Sequence, residues 1–184
     1  MNLFQLIYSD YKKHARYGGN LLSILLLTQG FSAIFQYRIA HFFYINLKII
    51  GLRQIILGLC LFWQKWIEFS CGISIPASAT IGHSFYIGHF GGIILNANSI
   101  IGNNCNLSQG VTIGISGLDE NRGVPIVGNN VYIGANAVLA GKITIGNNVL
   151  VGACSLVNQS FSENSVVVGV PATKISEKSS KGYI

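Results

Sequence analysis

From Ile75 to Val157 an aliphatic residue returns at every sixth position, with two interruptions. Ile75, Ile81 and Ile87 keep the count, Leu95, Ile101, Leu107 and Ile113 resume it, and Val127, Ile133, Leu139, Ile145, Val151 and Val157 carry it on. Glycine follows several of them, at Gly82, Gly88, Gly102, Gly114, Gly128, Gly134, Gly146 and Gly152, and IGNN or VGNN recurs at 101, 127 and 145. Such a period is neither the roughly 3.6 of an amphipathic helix nor the roughly 2 of an alternating strand. It fits a short strand and a corner, repeated, with the aliphatic side chain inward and Gly or Asn at the corner because they tolerate positive φ. Neighbouring coils then stack about 4.8 Å apart, each burying its apolar face on the next. A β-sandwich would not hold one strict count over so many turns. The expected fold is mainly β, a parallel β-helix preceded by a short α-helical N-terminal region.

The segment 1–70 follows a different grammar. Leu3, Phe4, Ile7, Tyr8 and Tyr11 recur at helical spacing, and further apolar helices are expected over 21–46 and 51–69, with a break near Thr28-Gln29-Gly30. Gly18 to Tyr37 carries no charge and has the length of a membrane span, but Gly, Asn, Thr, Gln and Ser interrupt it. These helices either pack against partner subunits or lie in the membrane interface, with Lys12, Lys13, Arg38, Lys48, Arg53 and Lys65 facing head groups. The chain thus divides into a basic, apolar helical region at 1–70, a repeat region at 71–170 and a tail at 171–184.

Half of the 184 residues are hydrophobic and only 10% are charged, with a net charge of +6. That balance suits an anionic ligand or an anionic membrane surface; no nucleic-acid partner is expected. Cys60, Cys71, Cys105 and Cys154 show no CxxC spacing, and the first residues have no secretory-leader pattern. A reduced, cytoplasmic setting follows, at the inner face of the membrane if the helices lie on lipid.

The count slips in two places. Between Ile87 and Leu95 two residues are added, beside His89-Phe90-Gly91-Gly92. Stacked coils cannot absorb them inside, so they bulge at a corner, where His89 is presented outward and the glycines let a ligand approach the backbone. Val127 follows Ile113 by fourteen positions, read as twelve plus two, with the polar stretch Gly114 to Gly123 as a flap. Arg122 in the flap suits an acidic or phosphorylated ligand. His83 falls on an exposed corner, His41 reads as structural and His14 as a surface residue. A metal site needs three His ligands, and only His83 and His89 lie in the repeat region.

Residues 71–173 resemble the hexapeptide-repeat acyltransferases, in the serine acetyltransferase-like branch. The resemblance is carried by ISIPASATIG (73–82), YIGHFGGIIL (86–95), LSQGVTIGISG (107–117) and VVVGVPATKI (166–175), with YRIAHFF (37–43) ahead of them. It implies a left-handed parallel β-helix, a homotrimer or dimer of trimers with sites between subunits, and acetyl-CoA as co-substrate without a metal. His89 matches the general base. Gly114 and Ile115 match the oxyanion turn, and Ser116, Gly134, Ala135, Gly152, Ala153 and Lys174 the acetyl-CoA path, with Lys142 and Lys178 as further cations. Gly91, Gly92, His83 and Arg122 are the acceptor-side candidates.

Three positions depart from the serine-specific pattern: Gly88 and Ser74 stand where that branch has Asp, and Val124-Pro125 where it has His-Pro. Ser74, a backbone carbonyl or a water would then orient His89. Free serine needs charged partners for its ammonium and carboxylate. The expectation is therefore an O-acetyltransferase acting on a bacterial surface polysaccharide or its lipid-linked precursor, as the colanic acid acetyltransferase does. Serine O-acetylation in cysteine biosynthesis, or a non-catalytic assembly role through docking of Ile184, are the alternatives.

Overall fold

The computed structural model describes all 184 residues. Four helices come first: α1 (Leu3–Arg16), α2 (Leu21–Leu27), α3 (Gln29–Asn46) and α4 (Ile50–Cys71). Asn2 and Asn20 close capping boxes on α1 and α2, each side chain accepting from the backbone of the third helical residue. Thr28 is extended, which separates α2 from α3 at the expected break. Gly72, at φ 65°, ends α4 in the left-handed conformation and turns the chain into the first coil. No helix is long and apolar enough to cross a membrane.

The coils follow in order. The first is β1 (Ile73–Ser74), β2 (Thr80–Ile81) and β3 (Tyr86–Ile87); the second is β4 (Ile93–Leu95), β5 (Ile100–Ile101) and β6 (Asn106–Leu107). The third is β7 (Thr112–Gly114), β8 (Ile126–Val127) and β9 (Tyr132–Ile133); the fourth is β10 (Val138–Ala140), β11 (Thr144–Ile145) and β12 (Leu150–Val151). β13 (Leu156–Val157) and β14 (Val166–Gly169) begin a fifth, and β15 (Ala172–Ser176) returns antiparallel to β14. The strands stack into three parallel faces, β1-β4-β7-β10-β13, β2-β5-β8-β11 and β3-β6-β9-β12-β14. Every member of the six-residue series is buried, none more than 5% exposed. Each such side chain contributes about 1.5–3 kcal/mol by leaving water, and the row of them forms the axis of the prism.

Register explains both slips. An ordinary coil is three steps of the repeat and pairs Ile126 with Thr144. At that length Ile73 would meet Gly91. It pairs with Ile93 instead, so the His89 bulge adds its two residues without shifting the ladder. Ile100 pairs with Ile126, where an uninterrupted coil would bring it to Leu118, so the flap is one continuous insertion from Leu118 to Pro125 in length. The reading as twelve plus two is thereby corrected. The chain leaves one corner and returns through an antiparallel bridge between Ser116 and Gly123, and the coil continues as if uninterrupted.

One corner, between the second and third faces, carries Ser84, Asn104, Asn130, Asn148 and Asn164, all at φ near 55–62°. Asn tolerates this conformation, and the stack lets each amide donate to the next. Asn104 donates to Asn130 at 2.8 Å, Asn130 to Asn148 at 3.0 Å and Asn148 to Asn164 at 3.1 Å. Lys13 Nζ closes the ladder by donating to Asn104 Oδ1.

Helices and prism join through buried polar groups. Arg38 donates to both carboxylate oxygens of Asp10, at 2.8 and 3.2 Å, and to the carbonyls of Ile81 and Gly82. Asp10 also accepts from the Phe85 backbone at 2.8 Å. Arg38, Lys13 and His14 are each 2% exposed, so their placement at the surface is overturned. Buried charges need partners, and Arg38 and Lys13 find theirs far along the chain, at Asp10, Ile81, Gly82 and Asn104. His14 packs between Phe31 and Tyr86 with Nδ1 at 2.8 Å from the Asp10 carbonyl, and burial pushes its ring below the usual histidine range.

Candidate active site

His89 stands on the bulge between β3 and β4, exposed to solvent. The bulge is tied down on both sides. Gly91 N donates to Cys71 O at 2.8 Å on one side, and Gly110 N donates to Gly91 O at 3.0 Å on the other. The tie continues up the same corner, with Asn136 N on Gln109 O and Cys154 N on Ala135 O, each within 2.9 Å. His89 is thus the foot of a column that includes Gly134-Ala135 and Gly152-Ala153. The column is tight: a Cβ on Gly110, at φ 72°, would lie 1.9 Å from Asn136 Oδ1. A cavity of about 210 Å³ opens between His89 and the junction of α2 and α3, lined by Leu27 to Gly30.

The flap sits elsewhere. Gly114 ends β7, and Ile115, Ser116 and Arg122 follow it at the far end of the first face, the opposite end from His89. Residues 115–122 are exposed, and Lys142 Nζ holds the flap by donating to Glu120 O at 3.0 Å. One chain therefore brings His89, Gly91, Gly92, Gly134, Ala135, Gly152 and Ala153 together and keeps the flap residues apart from them. His83 is not near His89 either: it occupies the Asn-ladder corner, half-buried, with Nδ1 at 3.0 Å from Ser84 Oγ and its backbone held by Asn103. Ser84 is in turn bound to Ser9 of α1, so this corner is covered by the helices. Lys174 is paired with Glu177 at 2.7 Å, which occupies its charge. His41, read as structural, sits with Nδ1 at 2.8 Å from the Ala77 carbonyl. The tail is strapped down: Ser180 donates to the Asn130 carbonyl, and Tyr183 O accepts from Asn106.

Ser74 has a neighbour that spacing within the repeats did not disclose. Its Oγ donates to Glu68 Oε1 at 2.8 Å, from the last turns of α4. Gln64 donates to the same oxygen at 2.9 Å and Lys65 to Oε2 at 2.6 Å. Partial burial raises the Glu68 carboxyl, but the Lys65, Ser74 and Gln64 hydrogen bonds outweigh it, and the group is held below its ordinary value. No group of three or more His, Cys, Asp or Glu is placed to hold a metal ion.

Stacked coils of three six-residue steps, with a histidine raised on a corner bulge, define a hexapeptide-repeat acyltransferase. The pattern of the bacterial transferase hexapeptide (six repeats) matches residues 125–159. The serine acetyltransferase of Staphylococcus epidermidis is 33% identical over 150 residues, which cover 82% of this chain and 67% of that one. The solved serine acetyltransferase of Neisseria gonorrhoeae superposes with a TM-score of 0.82 at 30% identity, over 95% of this chain and 65% of that one. The serine acetyltransferase of Brucella abortus in complex with coenzyme A gives 0.78 at 26% identity, over 94% and 66%. This chain belongs to the serine acetyltransferase family; it spans about two thirds of the length of these relatives. The left-handed β-helix behind a helical N-terminal region is borne out, and acetyl-CoA is the co-substrate of the family.

The expectation of a polysaccharide acceptor is overturned by these relatives, all named for serine. That expectation rests on Gly88 and Ser74 standing where the branch has Asp and on Val124-Pro125 in place of His-Pro. In the fold, helix α4 sets the Glu68 carboxylate against Ser74 from outside the repeats. A placement at the membrane gains nothing from the comparisons.

Proposed function

We propose that this chain transfers the acetyl group of acetyl-CoA to the hydroxyl of serine. What carries the reading is the 33% identity over 82% of the chain to a relative of that name. His89 takes the hydroxyl proton as the serine oxygen attacks the thioester carbonyl. A C–O bond forms, the C–S bond breaks, and the departing CoA thiolate takes the proton from the imidazolium. Backbone N–H groups at Gly114-Ile115 receive the developing oxyanion. The pantetheine arm runs past Ser116 and along the column, where Gly134, Ala135, Gly152 and Ala153 leave room. Gly91 and Gly92 let serine approach the backbone, and Arg122 pairs with its carboxylate.

The residues at opposite ends of one face meet when copies of the chain pack around a threefold axis, so that the flap of one reaches the His89 corner of the next. This supports a homotrimer. Residues 1–70 form a layer at its end, and the exposed apolar side chains of α2 and α4, among them Leu26, Ile50, Phe62 and Phe69, are assigned to contacts between copies. The four free cysteines fit the reducing cytoplasm, where acetyl-CoA is found.

The test is release of free thiol from acetyl-CoA, followed with serine for the wild type and His89→Ala. Serine-dependent release that disappears in the variant is expected. A folded wild type that binds acetyl-CoA but releases no thiol with serine would overturn the reading.

A further inference from the structure

An imidazole that accepts a proton needs its second nitrogen held by an acceptor, which fixes the tautomer and stabilises the charge that forms. Beside His89 stands Gly88, with no side chain to do this. The turn on which the bulge rests does carry a carboxylate. Gly91 N donates to Cys71 O, Ile93 N donates to Gly72 O at 3.1 Å, and a Cβ on Gly72 would lie 3.0 Å from the Gly91 Cα. Glu68 lies one helical turn before that contact and Ser74 just after it, half-exposed between the buried Ile73 and Ile75. Ser74 therefore points off the outer side of the first face, next to the bulge.

The hydrogen bonds at Glu68 have a direction. A serine hydroxyl has one proton and two lone pairs. Ser74 gives its proton to Glu68, so what it offers outward is acceptor capacity, made stronger by donation to an anion. A carboxylate at the C-terminal end of a helix is disfavoured by the helix dipole, and an exposed pair with Lys65 contributes at most about 1 kcal/mol. Helix stability alone gives no reason for an acid here.

We propose that Glu68 is the positioning residue for His89, acting through Ser74: the exposed His89 ring, which makes no hydrogen bond in this structure, turns so that its N–H donates to Ser74 Oγ, whose own proton is held by the Glu68 carboxylate. The inference rests on the reading of His89 as general base. No proton moves along the relay during the reaction; Glu68 fixes the ring and stabilises the imidazolium.

Histidine-labelled whole protein, titrated by NMR, tests it without needing any acceptor, the His89 signal being identified by its absence from His89→Gln. In Glu68→Gln the midpoint of the His89 titration shifts down by about one pH unit, a tenfold change in its protonation equilibrium. Ser74→Ala, which leaves the bonds of α4 to Glu68 in place, shifts it in the same direction and serves if Glu68→Gln does not fold. In turnover, Glu68→Gln lowers kcat about 10-fold or more with an unchanged KM for acetyl-CoA and moves the acid limb of the pH profile downward. An unchanged His89 midpoint in a folded Glu68→Gln or Ser74→Ala overturns the inference. His89→Ala with full turnover would instead overturn the role of His89 as base, while the titration still decides whether Glu68 is coupled to the ring.

Discussion

The prism and the helices in front of it are held together by opposite rules. In the prism each coil copies the backbone pairing of its neighbour one turn away, as in Val138 with Leu156. Its core is a row of aliphatic side chains, so cost and gain are spread over many similar positions. The helices are seated by a few charged groups whose partners are remote: Arg38 reaches Asp10 on one side and Ile81 on the other, and Lys13 reaches Asn104. A repeat tolerates local change because its neighbours still stack. A seat built on one buried ion pair does not, since removing either partner leaves the other charged and alone.

The largest effect is expected where the repeat is interrupted at His89, the proposed general base. His89→Ala should lower kcat by about 10²–10⁴-fold in the thiol-release assay, with no change in melting temperature because the ring is exposed. At the seat, Asp10→Ala should cost about 3–5 kcal/mol, read as loss of helical circular dichroism ahead of the β signal during urea unfolding. The paired replacement Asp10→Leu with Arg38→Met should recover most of it. A single unshifted transition in Asp10→Ala would show that the two regions do not differ in this way. Gly30→Ala probes the same junction from the apolar side: its Cβ would lie 2.2 Å from the Ile87 carbonyl oxygen, so α3 must move off the prism. About 1–3 kcal/mol is expected from such overpacking, measured by chemical denaturation.

Within the prism the effects should be smaller. Asn148→Gly keeps the left-handed conformation but cuts the side-chain ladder on both sides, costing about 1 kcal/mol. Lys13 gives the finest comparison. Burial pushes its ammonium down to about 8 from an ordinary value of 10.5. The unfolded chain binds a proton that the folded chain lacks between those values, so this group makes stability rise with pH across that window. The difference in unfolding midpoint between wild type and Lys13→Met, followed from about pH 7.5 upward, should change with that sign. A difference independent of pH would mean that Lys13 is solvated after all.

How much could be read in advance follows the same division. The count of six named the inward residues one by one, and its first slip located His89. The second slip was found but miscounted, because a long excursion that returns to its starting corner leaves the coil phase unchanged whatever its length. His14, Lys13 and Arg38 look like surface residues in a linear reading. Nothing near Lys13 and Arg38 in sequence announces the carbonyls and amides that make their burial tolerable. Glu68 was missed for a related reason: it belongs to a helix, while the residue it touches belongs to the repeats.

The sequence by itself determined the prism, its core and the corner that bears the histidine, because a period matched to a strand and a corner repeats one local geometry and needs no distant partner. Only the tertiary structure decided what surrounds that histidine and how the helices are seated. Those depend on single contacts between residues far apart in the chain, such as Glu68 with Ser74 and Arg38 with Ile81, and on directions of side chains that no spacing encodes.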